Sequence, residues 1–392
     1  MKQLSKKGYL SETARNIKPS GIRKFFDLAN EMDDVISLGV GEPDFVTSWN
    51  VCEAAYAAME SGYTAYSANA GLLELRQAIS KYLDSQFHVN YQADKEIIVT
   101  TGASQAIDIA FRALIDPGDE VLIAEPGFVA YAPIVQLAGG VPVPIETTAE
   151  NEFKLTADQL EKRINEKTKI VLLCFPNNPT GATLEQEELK QLARVICRHD
   201  LLVLSDEIYA ELSYDRPHYS IARLPEMRER TIIISGFSKA FAMTGWRLGY
   251  LAGPEQFLQA MLKIHQYTMM CAPTIAQHGA LEALVNGRED VERMVASYRQ
   301  RRNYFVKASN QIGLPCHRPG GAFYAFPSIR KTGLSSEQFA EQLLKEEKVA
   351  VVPGAVFGEG GEGHIRCSYA ASMENLQIAI ERIGRFVQKR IL

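Results

Sequence analysis

TIIISGFSKAFAMTGWRLGYLA, residues Thr231–Ala252, is the stretch from which the remaining sequence is most readily interpreted. An apolar, β-branched run (Thr231–Ser235) meets a small-residue turn. A single lysine, Lys239, follows, then Arg247 eight positions later and a second apolar run, Leu248–Ala252. Such runs read as buried strands of a parallel sheet. Lys239 then stands just past the carboxyl end of a strand, where open α/β sheets place their ligands. Its neighbours Gly236, Ser238 and Ala240 leave room for close approach. A lysine amine becomes a useful nucleophile when partly desolvated or set near other cations. Arg247 offers a planar, permanently charged fork suited to phosphate. A lysine beside a phosphate clamp suggests a phosphorylated aldehyde held covalently on the amine. Taken singly, the two residues read more simply as a surface lysine and a salt-bridging arginine.

Two further strand ends make the bland reading a poor one. KIVLLCF (Lys169–Phe175) runs into PNNPTG, and LLVLS (Leu201–Ser205) runs into DEIY. An Asn-Pro turn is a structural signal in its own right. Two acids and a tyrosine at a buried strand end are costly unless partnered. The separations are 206 − 178 = 28 residues from Asn178 to Asp206 and 239 − 206 = 33 from Asp206 to Lys239. Each is near the roughly 30 residues of one βαβ unit, which sets the three groups at the carboxyl ends of strands along one edge of one sheet.

The segment SGFSKAFAMTGWRLGY resembles the lysine-bearing signature of the class-I aminotransferases, which use pyridoxal phosphate. PNNPTG is similar to that family's Asn-Pro-Thr-Gly motif, and spaced matches extend over about residues 20–388. The resemblance implies a role for each matching position. Lys239 carries the cofactor, Asp206 pairs with its pyridine nitrogen, and Tyr209 donates to its ring hydroxyl oxygen. Asn178 binds that oxygen and touches the substrate carboxylate. Phe128 stacks on the ring, its flat face suiting it to that place. Ala103, Ser104, Ser238 and Arg247 hold the phosphate; GAS (Gly102–Ser104) opens a helix, whose amino end favours anions. Arg366, in EGHIRCSYA (Glu362–Ala370), clamps the α-carboxylate bidentately, as guanidinium and not lysine can. Gly41, in VISLGVGEPDF (Val35–Phe45), lies near that carboxylate. Tyr66 reaches across a dimer interface to the neighbour's phosphate, which implies a homodimer with shared sites. Glu207 reads as structural.

The fold implied is α/β of fold type I: a large domain with a mostly parallel seven-stranded sheet between helices, and a smaller α/β domain. The expected boundaries are 1–45 (amino-terminal arm and part of the small domain), 46–285 (large domain) and 286–392 (small carboxyl-terminal domain). Helices are expected over Ser20–Met32, residues 51–60, the second part of Gly62–Ser80, Gly102–Leu114 and Leu155–Asn165. Others are expected after a cap of Thr183 and Gln186, and over Pro254–Tyr267, from Gly287 to about Gln311, Ser335–Glu347 and Met373–Lys389. Thr156 and Gln159 suggest a capping box. Further strands are expected at Glu96–Thr101, Val121–Glu125, Gly320–Pro327, Val349–Gly354 and Glu362–Ala370.

Composition narrows the rest. The 392 residues fit two or three domain-sized units. Net charge is 42 − 47 = −5 with no basic stripe, so nucleic acid and anionic membranes are poor partners. No apolar run approaches a membrane span, and MKQLSKKGYL lacks the apolar core of a secretory signal. Six scattered cysteines without a CxxC pair suit a reduced, cytoplasmic protein. The seven histidines show no ligand spacing, so no metal site is expected.

The resulting expectation is an aminotransferase that moves the amino group of an L-amino acid to 2-oxoglutarate in a ping-pong cycle. FVAYAP, DRPHYSIA and KAFAMTGWRLG look most like the aromatic aminotransferases, and also like the bacterial aminotransferase A group acting on N-acetyl-LL-diaminopimelate. A carbon–sulfur β-lyase keeps every cofactor residue named. A cofactor-binding transcription regulator needs a DNA-binding head, for which the stretch before Val35 is too short. A non-catalytic homologue is expected to lose Lys239 or Asp206, and both are present.

Overall fold

The computed structural model describes residues 8–19, 21 and 32–391. The helix expected over Ser20–Met32 lies, but for Gly21 and Met32, outside the described residues. The first strand, β1 (Ile36–Ser37), is followed by the seven strands of the central sheet. These are β2 (Ile97–Thr100), β3 (Glu120–Glu125), β4 (Val141–Glu146), β5 (Thr168–Cys174), β6 (Leu202–Asp206), β7 (Thr231–Gly236) and β8 (Gly249–Ala252). Their order across the sheet is β2-β8-β7-β6-β5-β3-β4. Strands β4, β3, β5, β6 and β7 pair in parallel.

Strand β8 departs from the expectation. It runs antiparallel to both β7 and β2. Only residues 237–248 join it to β7, with no crossover helix, and a parallel return needs a longer crossover. β4 is a strand that the sequence did not suggest. Pro142 and Pro144 argue against a central strand, but β4 pairs with β3 alone. At the edge a missing N–H leaves no ladder bond unmade.

Alternate residues of the inner strands face opposite layers. Leu172 and Leu204 join a cluster with Ile107, Phe111 and Leu258, from helices Ala103–Leu114 and Glu255–Thr268. Leu173 and Val203 join one with Leu189, Leu192 and Ile196, from helix Gln186–Arg198. Each layer thus removes one sheet face from water, the main driving force for this architecture. Helices Tyr131–Leu137 and Thr274–Asn286 were not expected. The helix expected over Leu155–Asn165 is only Ala157–Glu161, though Thr156 and Gln159 do form the capping box. Helix Gln186–Arg198 is capped two residues later than expected: Glu188 accepts from the Glu185 N–H at 2.7 Å.

Beyond the long helix Arg288–Gln311 the expected strands shorten. They are β9 (Tyr324–Ala325), β10 (Val349–Ala350), β11 (Val352–Pro353) and β12 (Ile365–Ser368). The single strand expected over Val349–Gly354 is split: β10 pairs in parallel with β1, while β11 joins β12 and β9 in an antiparallel sheet. Leu38 bridges the two, donating to Ala350 O at 2.8 Å and accepting from the Ser368 N–H at 2.6 Å. The segment carrying Gly39 and Gly41 is thereby tied to the strand carrying Arg366. No helix among the described residues is long and apolar enough to cross a membrane.

Candidate active site

The carboxyl ends of β5, β6 and β7 open into a cavity of about 590 Å³. Of the residues singled out from the sequence, Asn178, Asp206, Tyr209, Ser238 and Lys239 line it from these ends. Ala103 and Ser104 line it from the helix after β2, Phe128 from the loop after β3, and Arg247, Gly41 and Arg366 complete the wall. Tyr66 does not line it; its side chain is 80% exposed.

Asp206 closes β6 and is buried. Its Oδ2 accepts from the Tyr131 hydroxyl at 2.6 Å and its Oδ1 from the Ile208 N–H at 3.2 Å. Burial pushes its carboxyl up to about 6, and the two donors counter that rise. Glu207, the adjacent acid, turns to the other sheet face. It accepts from the hydroxyls of Ser205 and Ser220 and contacts His218 at 2.9 Å, which gives it structural partners.

Asn178 is set by a tight turn. Asn177 Oδ1 accepts from the Thr180 N–H and hydroxyl, and Gly181 has φ +70°. A Cβ on Gly181 meets Pro319 at 2.4 Å, so only glycine lets the turn seat against the 319–324 segment. Asn178 Oδ1 accepts from Arg366 Nη1 at 3.0 Å, and Arg366 Nη2 donates to Gly39 O at 2.5 Å. The guanidinium lies over the rings of Tyr324 and Phe357, its Cζ 4.5 and 5.0 Å from their centroids. Its Nε is buried without a hydrogen-bond partner. Arg366 is therefore a rigid cation with donor capacity to spare.

Lys239 Nζ donates to Gly41 O at 2.6 Å. Burial, with Arg366 and Arg247 adding repulsion against the pull of Glu42 and Asp206, pushes its ammonium down to about 8. At pH 7 that leaves roughly a tenth of the amine neutral, against well under a thousandth for an ordinary lysine. Arg247 sits at the amino end of helix Ala103–Leu114, where first-turn N–H groups lack helical partners. A Cβ on Gly102 comes within 2.8 Å of Arg247 Nη2, and Arg247 itself holds the left-handed conformation, φ +53°. Gly249 brings β8 against the same helix end: a Cβ there falls 2.6 Å from Ala103 N. Unpaired helix N–H groups, two serines and an arginine make a cradle for a dianion.

The lining residues not singled out from the sequence include Tyr131, Tyr324 and Glu42. A tyrosine in FVAYAP or GGAFYAFP carries no sequence mark of its partner, because the Asp206 and Tyr209 contacts are made by distant segments. Glu42 follows a glycine in a loop and receives the Thr244 hydroxyl at 3.2 Å.

These residues fit pyridoxal phosphate. An anion cradle, an amine of lowered basicity and a buried carboxylate converge on one cavity, and an arginine with a spare donor flanks it. Known proteins agree. The chain matches the family described as aminotransferase class I and II over residues 33–383. It is similar to YugH of Bacillus subtilis (strain 168), named only as an aminotransferase: 63% identical over 97% of this chain and 99% of that protein. A Bacillus subtilis (strain 168) protein named as an N-acetyl-LL-diaminopimelate aminotransferase is 47% identical over 97% of this chain and 96% of its own. A Pyrococcus abyssi protein named as an aspartate aminotransferase is 47% identical over 98% of this chain and 99% of its own. Among solved structures, an aromatic aminotransferase from Pyrococcus horikoshii OT3 superposes with a TM-score of 0.90 at 47% identity, covering 93% of this chain and 99% of that one. The chain accordingly belongs to the class I and II aminotransferases, enzymes of fold type I that depend on pyridoxal phosphate.

Proposed function

We propose that this aminotransferase moves the amino group of an L-amino acid, with aromatic donors favoured, to 2-oxoglutarate. One observation carries the donor preference. The cations lining the cavity among the described residues are Lys239, Arg247 and Arg366, and each has an assignment. Within one chain none is left for a side-chain carboxylate, so that of 2-oxoglutarate would be met from the second copy, while Ile107 and Tyr324 leave apolar and aromatic surface beside the positions assigned to the cofactor.

In this reading Arg366 and Asn178 receive the α-carboxylate, with Gly41 beside it. Ala103, Ser104, Ser238 and Arg247 hold the phosphate, Phe128 covers the ring, and Tyr209 and Asn178 serve its hydroxyl oxygen. Pyridoxal phosphate supplies, when bound, an electron sink for the pair left on the donor's Cα. Asp206 keeps the ring nitrogen protonated. Lys239 Nζ takes the Cα proton and returns it, as base and then acid. The 2-oxo acid product leaves and the acceptor retraces the path.

The partner reading is a homodimer with shared sites. Tyr66 at 80% exposed, with Trp49 at 74% and Tyr267 at 93%, leaves aromatic surface that a second copy would cover. A light-scattering mass of one chain overturns it. Residues 46–285 would act as the large domain, and residues 1–45 with 286–392 as the small one, the β1–β10 pairing favouring that grouping. Six free cysteines favour a reducing, cytoplasmic setting.

The deciding experiment loads the enzyme with pyridoxal phosphate and adds one amino acid at a time, without a keto acid, following products by mass spectrometry. Phenylalanine and tyrosine are expected to give their 2-oxo acids once per site, and 2-oxoglutarate then to emerge as glutamate. Turnover of aspartate alone refutes the donor preference. Turnover of N-acetyl-LL-diaminopimelate alone favours the second reading, which the Bacillus relative's name supports. Pyruvate with ammonia moves the chain to the β-lyases.

A further inference from the structure

We propose that Tyr324 is a positioning residue that couples the group serving the cofactor's ring oxygen to the group that clamps the substrate carboxylate. The inference rests on the assignments given above to Tyr209 and Arg366. Tyr324 is fully buried on β9 and lines the cavity. Its Oη lies 2.9 Å from Tyr209 Oη. Its ring lies under the Arg366 guanidinium, 4.5 Å from Cζ. A Cβ on Gly41 falls 2.9 Å from the same Oη, so the hydroxyl sits close against the substrate loop. The backbone gives it little freedom. Tyr324 pairs with Ser368 on β12, two residues from Arg366, and a Cβ on Gly181 reaches Tyr324 O at 2.9 Å. One side chain therefore touches Tyr209, Arg366 and the Gly41 loop, which belong to three separate stretches of sequence.

Proton counting sets the direction of the coupling. A phenol has one proton to donate. If Tyr209 spends its proton on the ring oxygen, the proton between the two phenols belongs to Tyr324. The chain then runs from Tyr324 O–H to Tyr209 O–H to the ring oxygen, and each bond polarises the next. Burial raises both phenols above their ordinary range, so both remain protonated donors. The charged and titratable groups facing this pair are Arg366, Lys239, Cys174 and Glu42.

The test compares Tyr324→Phe, Tyr209→Phe, their double variant and Tyr324→Leu. The first readout is the pH midpoint of the visible absorption of the enzyme loaded with pyridoxal phosphate. Hydrogen bonds to an ionised oxygen favour that form, so loss of Tyr209's hydroxyl raises the midpoint. Tyr324→Phe is expected to raise it by roughly 0.2 to 0.6 pH unit, from a ~10–30% weakening of a charge-assisted bond. The double variant should match Tyr209→Phe, because the outer hydroxyl acts only through the inner one. The second readout is KM for the amino donor. Tyr324→Phe keeps the ring under Arg366 and should stay within about twofold of the parent. Tyr324→Leu removes the ring and should raise KM roughly three- to thirtyfold. A tyrosine with only a structural role lowers the melting temperature and leaves the midpoint in place. An unmoved midpoint in Tyr324→Phe alongside a raised one in Tyr209→Phe overturns the coupling. An unmoved midpoint in Tyr209→Phe itself overturns the Tyr209 assignment beneath it. An unchanged KM in Tyr324→Leu overturns the Arg366 arm.

Discussion

Replacing Lys239 with methionine should make the cofactor-free protein more stable at neutral pH, although it removes the residue proposed to carry the chemistry. Burial pushes the Lys239 ammonium from the ordinary 10.5 to about 8. At about 1.36 kcal/mol per pH unit, the gap of 10.5 − 8, or about 2.5, means that holding the charged form in the cavity costs about 3 kcal/mol. Methionine removes that cost and loses the Nζ–H···O=C bond to Gly41, worth about 1 kcal/mol. The net expectation is about 2 kcal/mol in favour of Lys239→Met at pH 7. Its pH dependence has a fixed sign. With the folded value below the unfolded one, the unfolded chain binds the extra proton between about 8 and 10.5, so the parent gains stability as pH rises through that window. The variant's advantage should shrink over the same window and fall to the hydrogen-bond deficit above it. The assay is urea unfolding of both proteins, freed of pyridoxal phosphate, from pH 6 to 11. A chain of 392 residues need not unfold in one step, so the first transition is compared. A variant less stable than the parent at pH 7, or a difference that ignores pH, refutes the claim that the cavity strains this ammonium.

Two other substitutions probe the opposite walls of the site. Arg366→Lys gives up the fork that reaches Asn178 and Gly39. KM for the donor should rise about tenfold or more while pyridoxal phosphate affinity holds, and an unchanged KM places the carboxylate elsewhere. Tyr131→Phe takes away one of the two donors to Asp206, whose carboxyl then moves above its present value of about 6. Pyridoxal phosphate binding, measured by fluorescence from pH 5.5 to 8, should weaken about tenfold at the acid end, with the loss setting in at a higher pH than in the parent. Identical pH profiles would show that Tyr131 does not tune the acid.

Much of the site was legible in the chain because it is punctuated by strand ends. Asn178, Asp206 and Lys239 each follow an apolar run of the right length, and the runs recur at about the interval of a βαβ unit. Periodicity alone misjudged β8, since an apolar run does not record direction; the short link after β7 does. It also passed over β4, because two prolines exclude a central strand but not an edge. The strands of the last hundred residues shrank because their pattern reports burial, and Ala322, Phe323 and Phe326 are buried outside the short β9.

The sequence by itself determined the α/β class, the strand ends that open into the cavity, the family and its cofactor. All of these are written in local runs and motifs, which one stretch of chain can display. Only the tertiary structure decided which donors hold Asp206, which rings Arg366 packs on, and why the Lys239 amine is less basic than an ordinary lysine. Those properties arise from contacts between segments up to hundreds of residues apart, and from the loss of water where they meet. Burial and distance belong to the folded chain, so local motifs name the groups but cannot report how strongly each one is perturbed.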